Sequence, residues 1–191
     1  SHKVGQHDFW LWRTTWHKGI AYGFGYGTNK SKRSIRLYQS ANGSSFNVLV
    51  KNAFDQGYPN ETSIVFLPDQ TAICLLRRDG KSNSAQIGQA RPPYREWNWR
   101  DLGVRIGGPH LIRLPDGRLV AVVRRYDGGG RTALHWLDPE KAILTEFLKL
   151  PSRSDTSYAG LAWHEGKLWI SYYSSHEEKT SIYLAKVRFG E

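Results

Sequence analysis

The chain has 191 residues, a formal charge of +10 and a sequence pI near 9.8, and 13% of its residues are aromatic. Its single cysteine, Cys74, excludes an intrachain disulfide and a cysteine-based zinc site, and no apolar stretch reaches the roughly 18 residues needed to cross a bilayer. Strand-forming residues dominate, so we expect one soluble all-β domain over residues 1–191, without a membrane partner.

A tight turn followed by an alternating strand occurs four times along the chain. The turns read WHKG at 16–19, LPDQ at 67–70, LPDG at 114–117 and WHEG at 163–166. Their last residues are 51, 47 and 49 residues apart, close to the length of a four-stranded propeller blade. This period predicts an all-β propeller with four recognisable blades, at approximately 8–57, 58–106, 107–154 and 155–191.

Each repeat predicts the same strands in the same order: an inner strand, the tight turn, a second strand and a third strand. The second strands should be packed, with Ile73, Leu75, Val120, Val122, Leu168 and Ile170 in their interior. Outer fourth strands are predicted at FNVLV, near WNWRDLG and at LTEFLKL, whereas the last repeat has none. Because an open sheet edge is a liability, residues 1–7 are a candidate for its outer strand.

The basic residues are spread along the chain, which argues against nucleic acid as a partner. The one local cluster, KSKR at 30–33, is expected to be a solvated loop. A positive field over the whole protein favours anionic ligands, including acidic sugars. His17, His110 and His164 lie in separate repeats without metal-ligand spacing, so the sequence predicts neither a metal site nor a cofactor.

Polar side chains collect where the first strands start and the second strands end. Because adjacent strands are antiparallel, these two places lie on one face of a blade. The set comprises Arg13, Asn60, Glu61, His110, Asp155 to Tyr158, Arg77 with Arg78, Arg124 with Arg125, and Tyr172 with Tyr173. Side chains alternate along a strand, so only one arginine of each pair can face a shared site.

In these segments the chain resembles the sialidase (neuraminidase) superfamily of six-bladed propellers. The resemblance rests on NETSIVFLPDQTAICLLRR, on HLIRLPDGRLVAVVRR and on DTSYAGLAWHEGKLWISYY, which supply a glutamate, two strand-ending arginines and a tyrosine in family order. The segment SANGSSF at 40–46 is similar to the Asp-box turn of that family, although it lacks one residue and the aspartate. The matching segments extend over roughly residues 9–189.

The resemblance implies a glycan site whose catalytic pair is Tyr158, the nucleophile, and Glu61, its base. A neutral tyrosine suits sialic acid because the carboxylate on the anomeric carbon would repel a carboxylate nucleophile. Arg77 and Arg124 would bind that carboxylate in bidentate fashion. Arg78 and Arg125 are the reserve candidates, and the substrate-binding set is completed by Arg13 and by Asp155, which is expected to orient the loop before Tyr158.

Structural roles are the alternative for each of these residues. Glu61 could bond backbone groups at a blade edge, the arginines could form ion pairs between blades, and Tyr158 could cap the core with its hydroxyl at the rim. The tryptophans are expected to serve blade packing more than sugar binding.

The four repeats correspond to the last four blades of the family, whereas a sialidase takes its acid aspartate and its first carboxylate-binding arginine from the first two. We therefore expect upstream blades or self-association to complete the ring, and the isolated chain to bind a carbohydrate but hydrolyse it weakly or not at all. The alternative function is that of a non-catalytic, lectin-like or scaffold propeller of four blades.

Overall fold

A computed structural model describes residues 7–29, 33–80 and 84–190, and within them the chain forms fifteen β-strands and no helix. None of the described residues therefore forms a helix able to span a membrane. The chain divides into two compact units, Ser1–Gly103 and Val104–Glu191. Residues 1–6 of the predicted closing strand and residues 30–32 of the predicted basic loop lie outside the described residues.

Each unit contains two antiparallel sheets in which consecutive strands are neighbours. The first sheet holds β1 (Phe9–His17), β2 (Ile20–Gly27), β3 (Ile35–Ser40) and β4 (Asn47–Phe54). The second holds β5 (Pro59–Phe66), β6 (Ala72–Arg78), β7 (Gln86–Ala90) and β8 (Asn98–Asp101).

In the second unit, the third sheet holds β9 (Ile106–Arg113), β10 (Leu119–Arg125), β11 (Arg131–Asp138) and β12 (Ile143–Lys149). The fourth sheet holds only β13 (Thr156–His164), β14 (Lys167–Ser174) and β15 (Ser181–Val187). These four sheets confirm the predicted fold class, all-β with four blades, and the described part of the last sheet contains the three strands predicted for its repeat.

The four repeated turns fall into two geometric types. Lys18-Gly19 and Glu165-Gly166 are two-residue hairpin loops in which both residues have positive φ, the pattern of a type I′ turn. The other two loops have three residues and end in a left-handed residue, Gln70 in one and Gly117 in the other. The last residue of every turn is therefore left-handed, and it is glycine in three turns and glutamine in the fourth.

The core of each unit is built around the second strands. In the first unit Phe24, Ile35, Leu37, Ile64 and Cys74 pack together, and burial raises the pKa of the Cys74 thiol, which keeps it protonated and inert. In the second unit the core contains Val120, Val122, Leu134, Leu168 and Ile170. The prediction of packed second strands is confirmed, because all six side chains named for it are at most 1% exposed.

The segment similar to an Asp-box forms a turn around the side chain of Asn42. Its side-chain oxygen accepts hydrogen bonds from the backbone N–H groups of Ser44 at 3.0 Å and Ser45 at 3.1 Å. The Ser40 hydroxyl accepts a further bond from the Gly43 N–H at 2.9 Å. An asparagine therefore organises this β3–β4 turn by satisfying backbone donors locally.

Candidate functional site

A bulge interrupts the first strand of every sheet near its start. The pairing register shifts between Leu11 and Thr14 in β1 and between Pro59 and Thr62 in β5, and equivalent shifts occur in β9 and β13. The extra residues are Trp12-Arg13, Asn60-Glu61, Gly108-Pro109 and Tyr158-Ala159. Bulges re-aim side chains and are frequent beside active sites. Three predicted site residues, Arg13, Glu61 and Tyr158, lie at these bulges.

In the first unit, the bulge of β5 places Glu61 opposite Arg77. Glu61 is 5% exposed, and its Oε2 accepts a hydrogen bond from Arg77 Nη1 at 2.9 Å. The same guanidinium binds Asp79 through Nε–Oδ1 and Nη2–Oδ2 contacts, both of 3.1 Å. Asn60 Nδ2 donates to Asp79 Oδ2 at 2.6 Å. Arg77 therefore links the carboxylates of Glu61 and Asp79.

Arg13 joins this group from β1. Burial lowers the pKa of Arg13, and the nearby charge of Glu61 opposes that shift. Arg13, Arg77, Glu61 and Asp79 thus form a neutral set of two cations and two anions, which we call the acid–arginine cluster. Because burying an unpaired charge costs far more than burying a paired one, the pairing of the arginines with the carboxylates lowers the cost of burying this cluster.

Arg78 extends to the other side of β6, as strand alternation predicts. Its guanidinium donates to the Ser84 carbonyl at 2.6 Å, to the Ser84 hydroxyl at 2.8 Å and to Asp101 Oδ2 at 2.6 Å. Arg78 is 7% exposed, so these bonds tie β6 to the outer strands of its own sheet. Arg78 thus makes its ion pair within its own sheet, whereas the structural alternative from the sequence was an ion pair between blades.

In the second unit, Arg124 occupies the same place at the end of β10. Its Nε donates to the Thr156 carbonyl, and its Nη2 donates to Tyr173 Oη at 2.8 Å and to Asp155 Oδ1 at 3.1 Å. The remaining nitrogen, Nη1, makes no hydrogen bond within the described residues. Arg125 points the other way, to Asp127 at 3.0 Å and to His135 at 3.3 Å.

Two tyrosines complete this second group, which we call the tyrosine–arginine cluster: Arg124, Asp155, Tyr158 and Tyr173. Tyr173 donates its hydroxyl hydrogen to Asp155 Oδ1 at 2.7 Å. Burial and the bond to Asp155 raise the pKa of Tyr173 to about 12, so Tyr173 is a neutral donor at physiological pH. The Tyr158 ring lies 5.9 Å from the Tyr173 ring and is 43% exposed.

The position of Tyr158 depends on a glycine in the neighbouring strand. Tyr158 has a φ of +53°, a left-handed conformation that is unfavourable for a bulky side chain. Gly108 of β9 also has a positive φ, and a Cβ there would collide with Ser157 Oγ and the Tyr158 ring. The two bulges therefore fit against each other only because residue 108 has no side chain, and Tyr158 is held in a strained conformation of the kind found at functional sites.

The two clusters hold most of the predicted site residues. Glu61, Arg77 and Arg13 come together in the first unit, and Arg124, Asp155 and Tyr158 come together in the second. The predicted Tyr158–Glu61 pair would join residues of different units and stays a prediction. Asp79 and Tyr173 were not assigned roles from the sequence, although Tyr173 was among the strand-end residues. Among the described residues no three His, Cys, Asp or Glu side chains are placed to hold a metal ion.

Of the comparisons with known proteins, the one with solved structures finds similar folds. No family model matches the chain. No curated protein sequence matches it either.

Similar solved structures include a protein of unknown function from Dyadobacter fermentans DSM 18053, with a TM-score of 0.79 and 20% identity over 91% of this chain and 51% of that one. A thermostable family-43 glycoside hydrolase has a TM-score of 0.72 and 10% identity, with 97% and 70% covered. An endo-1,4-β-xylanase from Bacteroides thetaiotaomicron VPI-5482 has a TM-score of 0.67 and 11% identity, with 98% and 72% covered.

The chain spans about half the length of the first of these structures. None of the three is described as a sialidase, so the sialidase resemblance stays a prediction. At these identities the likeness concerns the fold alone: the chain has a propeller fold similar to that of family-43 glycoside hydrolases.

Proposed function

We propose that this chain is a glycan-binding propeller segment that holds an anionic sugar at the tyrosine–arginine cluster. One observation carries the proposal: Arg124 is fixed by three bonds while its Nη1 has no hydrogen-bond partner in the described part of the chain. Arginine is suited to carboxylates because its planar fork presents parallel N–H donors. A fixed fork with one open donor loses little side-chain entropy when a carboxylate binds.

The neighbouring groups suit the rest of a sugar. Asp155 is two-thirds exposed, and its Oδ2 makes no hydrogen bond among the described residues, so it can accept a bond from a sugar hydroxyl. The partly exposed Tyr158 ring offers an apolar face with a polar tip. Likeness of fold to glycoside hydrolases supports a carbohydrate as the ligand class.

The finer proposal is a sialidase-like reaction in which Tyr158 attacks the anomeric carbon and Glu61 removes its proton. The order of the glutamate, arginine and tyrosine motifs along the chain favours it. Protonation of the leaving oxygen needs an acid that these clusters do not provide, since Asp155 is already bound to Tyr173 and Arg124. We therefore expect negligible hydrolysis of a natural sialoside by this chain and slow turnover of an aryl sialoside, which Tyr158→Phe should abolish.

Binding is tested by isothermal titration of the full chain with 3′-sialyllactose and with lactose. We expect sialyllactose to bind more tightly, and Arg124→Lys to weaken it by roughly 10- to 150-fold, because hydrogen bonds to charged groups contribute about 1.5 to 3 kcal/mol. Arg125→Lys is the matched control. It makes the same chemical change one residue further along the chain, on a side chain that contacts Asp127 and His135.

Equal affinity for the two sugars, or equal loss in the two variants, would contradict anionic sugar binding at Arg124 and favour the scaffold alternative. Thermal unfolding of each variant shows whether the fold is retained.

A further inference from the structure

The first unit contains a cleft of about 400 Å³ at the opposite ends of its strands from the acid–arginine cluster. Glu61 lies at the start of β5, whereas Gln70, which lines the cleft, follows the end of β5 at Phe66. Five residues of extended strand separate Glu61 from Phe66, or about 17 Å at 3.4 Å per residue. The cleft is therefore separate from the acid–arginine cluster, and none of its lining residues belongs to the tyrosine–arginine cluster.

The walls of the cleft combine aromatic and proline surfaces with polar side chains. They are formed by His17, Lys18, Ile20, Tyr22, Gln39, Leu49, Gln70, Pro92, Pro93, Tyr94 and Arg95. His17 stacks on Phe66 at 4.2 Å, and Tyr22 meets Tyr94 edge to face at 5.3 Å. Tyr94 is held in place because its hydroxyl donates to the Gln70 carbonyl at 3.0 Å. The aromatic walls are thus held in place by ring packing and by this hydrogen bond.

The charge of the cleft is positive. Lys18 and Arg95 line it, no carboxylate does so among the described residues, and neither cation forms an ion pair there. Lys18 Nζ donates to Gln70 Oε1 at 2.7 Å, and Arg95 Nη1 donates to the Leu49 carbonyl at 3.3 Å. Both bonds are to neutral acceptors, which position the cations without cancelling their charge. His17 Nε2 is buried without a hydrogen-bond partner in the described part of the chain.

Gln70 indicates that the cleft has a role beyond folding. Its φ is +71°, and the other three-residue turn has glycine, Gly117, at this position. A side chain other than glycine is strained in the left-handed region, so glutamine costs stability that glycine would not. The feature that distinguishes this turn is that its side chain lines the cleft and binds Lys18. Strain retained at one of these two equivalent positions is expected where the side chain has a function.

We infer that this cleft is a second carbohydrate site, which binds a pyranose ring bearing one negative group, with the ring against the Tyr22 and proline surfaces and the negative group near Lys18 and Arg95. Aromatic and proline faces accept the apolar face of a sugar, amides of Gln39 and Gln70 suit its hydroxyls, and the two cations select for an anion. A carboxylated and a sulfated sugar share this chemistry. The site is independent of the proposed sugar binding at Arg124.

The test uses the full chain labelled with ¹⁵N and titrated with a galactotriose in which one residue is galacturonic acid, a singly sulfated galactotriose and neutral galactotriose. We expect the side-chain amides of Gln39 and Gln70 to shift with the charged sugars at concentrations where neutral galactotriose gives no shift. A greater effect of the carboxylated or the sulfated sugar identifies which anion the cleft prefers.

Gln70→Gly is the decisive variant because it removes the side chain while relieving the backbone. Its melting temperature should equal or exceed that of the parent, whereas affinity for the charged sugar should fall about fivefold or more. Lys18→Asn should weaken binding by about three- to fivefold. Asparagine is chosen because it tolerates the left-handed backbone of residue 18. Lys141→Asn, which removes an exposed lysine from the second unit, should leave binding unchanged.

Arg124→Lys separates this inference from the proposed function, since it should leave the shifts of Gln39 and Gln70 intact even if it abolishes sialyllactose binding. The inference is overturned if neutral galactotriose binds as tightly as the charged sugars. It is also overturned if none of the three sugars shifts the cleft amides, or if Gln70→Gly and Lys18→Asn bind like the parent chain.

Discussion

At the scale of single residues, neighbouring arginines point to opposite sides of their strand and bind different groups. Arg77 and Arg124 bind carboxylates near the bulges, while Arg78 and Arg125 bind groups of their own sheets. Strand alternation was sufficient to predict that each pair would separate. It could not predict that Arg77 would bind both Glu61 and Asp79, because Asp79 follows the strand and its direction depends on the turn.

His135 is the residue whose charge state should affect stability most directly. It is fully buried, and Arg125 Nη1 donates to its Nε2 at 3.3 Å, so the ring proton must be on Nδ1, facing the Ala133 carbonyl. Burial and the charge of Arg125 lower its pKa to about 4, with Glu146 opposing. The folded state therefore resists protonation that the unfolded state, with a pKa near 6.5, accepts.

We predict that stability falls as the pH decreases from 6.5 toward 4, because the unfolded chain binds a proton there and the folded chain does not. Between pH 7 and pH 4.5 the loss attributable to His135 should be about 2 to 3 kcal/mol. Urea unfolding at the two pH values measures it, and His135→Gln should lose that much less than the parent. His164→Gln, at an exposed histidine, is the control, and an equal loss in the parent and His135→Gln would refute the assignment.

At the scale of strands and turns, the sequence predicted the order of strands, the three strands of the last repeat and the buried second strands. These follow from alternation and turn residues, which are local signals. The bulges were not predicted, because a bulge depends on how two strands pair and leaves no fixed residue pattern. The signal available was polar residues, such as Asn60-Glu61, interrupting the alternation at a strand start.

A pair of isoleucines in adjacent strands tests which face of the last sheet is packed. Ile170 of β14 is fully buried, whereas Ile182 of β15 is 83% exposed. Ile170→Ala should lower the free energy of unfolding by about 2 to 5 kcal/mol, because it removes buried methyl groups and leaves a cavity. Ile182→Ala should change it by less than about 0.5 kcal/mol. Urea unfolding compares the two, and a loss at Ile182 equal to that at Ile170 would mean that this face is covered in solution.

At the scale of the molecule, the fold was predictable because the repeat period is long-range information written directly in the sequence. The family could not be identified from the fold in the same way, since many functions share the propeller fold and depend on a few side chains. The predicted Tyr158–Glu61 pair is an example. Each residue lies at a bulge of its own unit, and the reaction that would need both residues stays a prediction.

Circular dichroism gives the simplest check on the whole molecule. With fifteen strands and no helix in the described residues, the far-ultraviolet spectrum of the purified chain should be dominated by strand and aromatic contributions. The eight tryptophans and ten tyrosines should add visible aromatic bands. A helical double minimum would be incompatible with this architecture.

The three-stranded sheet affects the rates at which backbone amide hydrogens exchange with water. β15 is hydrogen-bonded to β14 along its length and has no second neighbouring strand among the described residues. In an antiparallel pair, alternate residues direct their N–H groups toward the partner and the others direct them away. The last strand therefore carries two kinetic populations of amide hydrogens side by side: one that exchanges only when β15 detaches, and one that exchanges while the fold is intact.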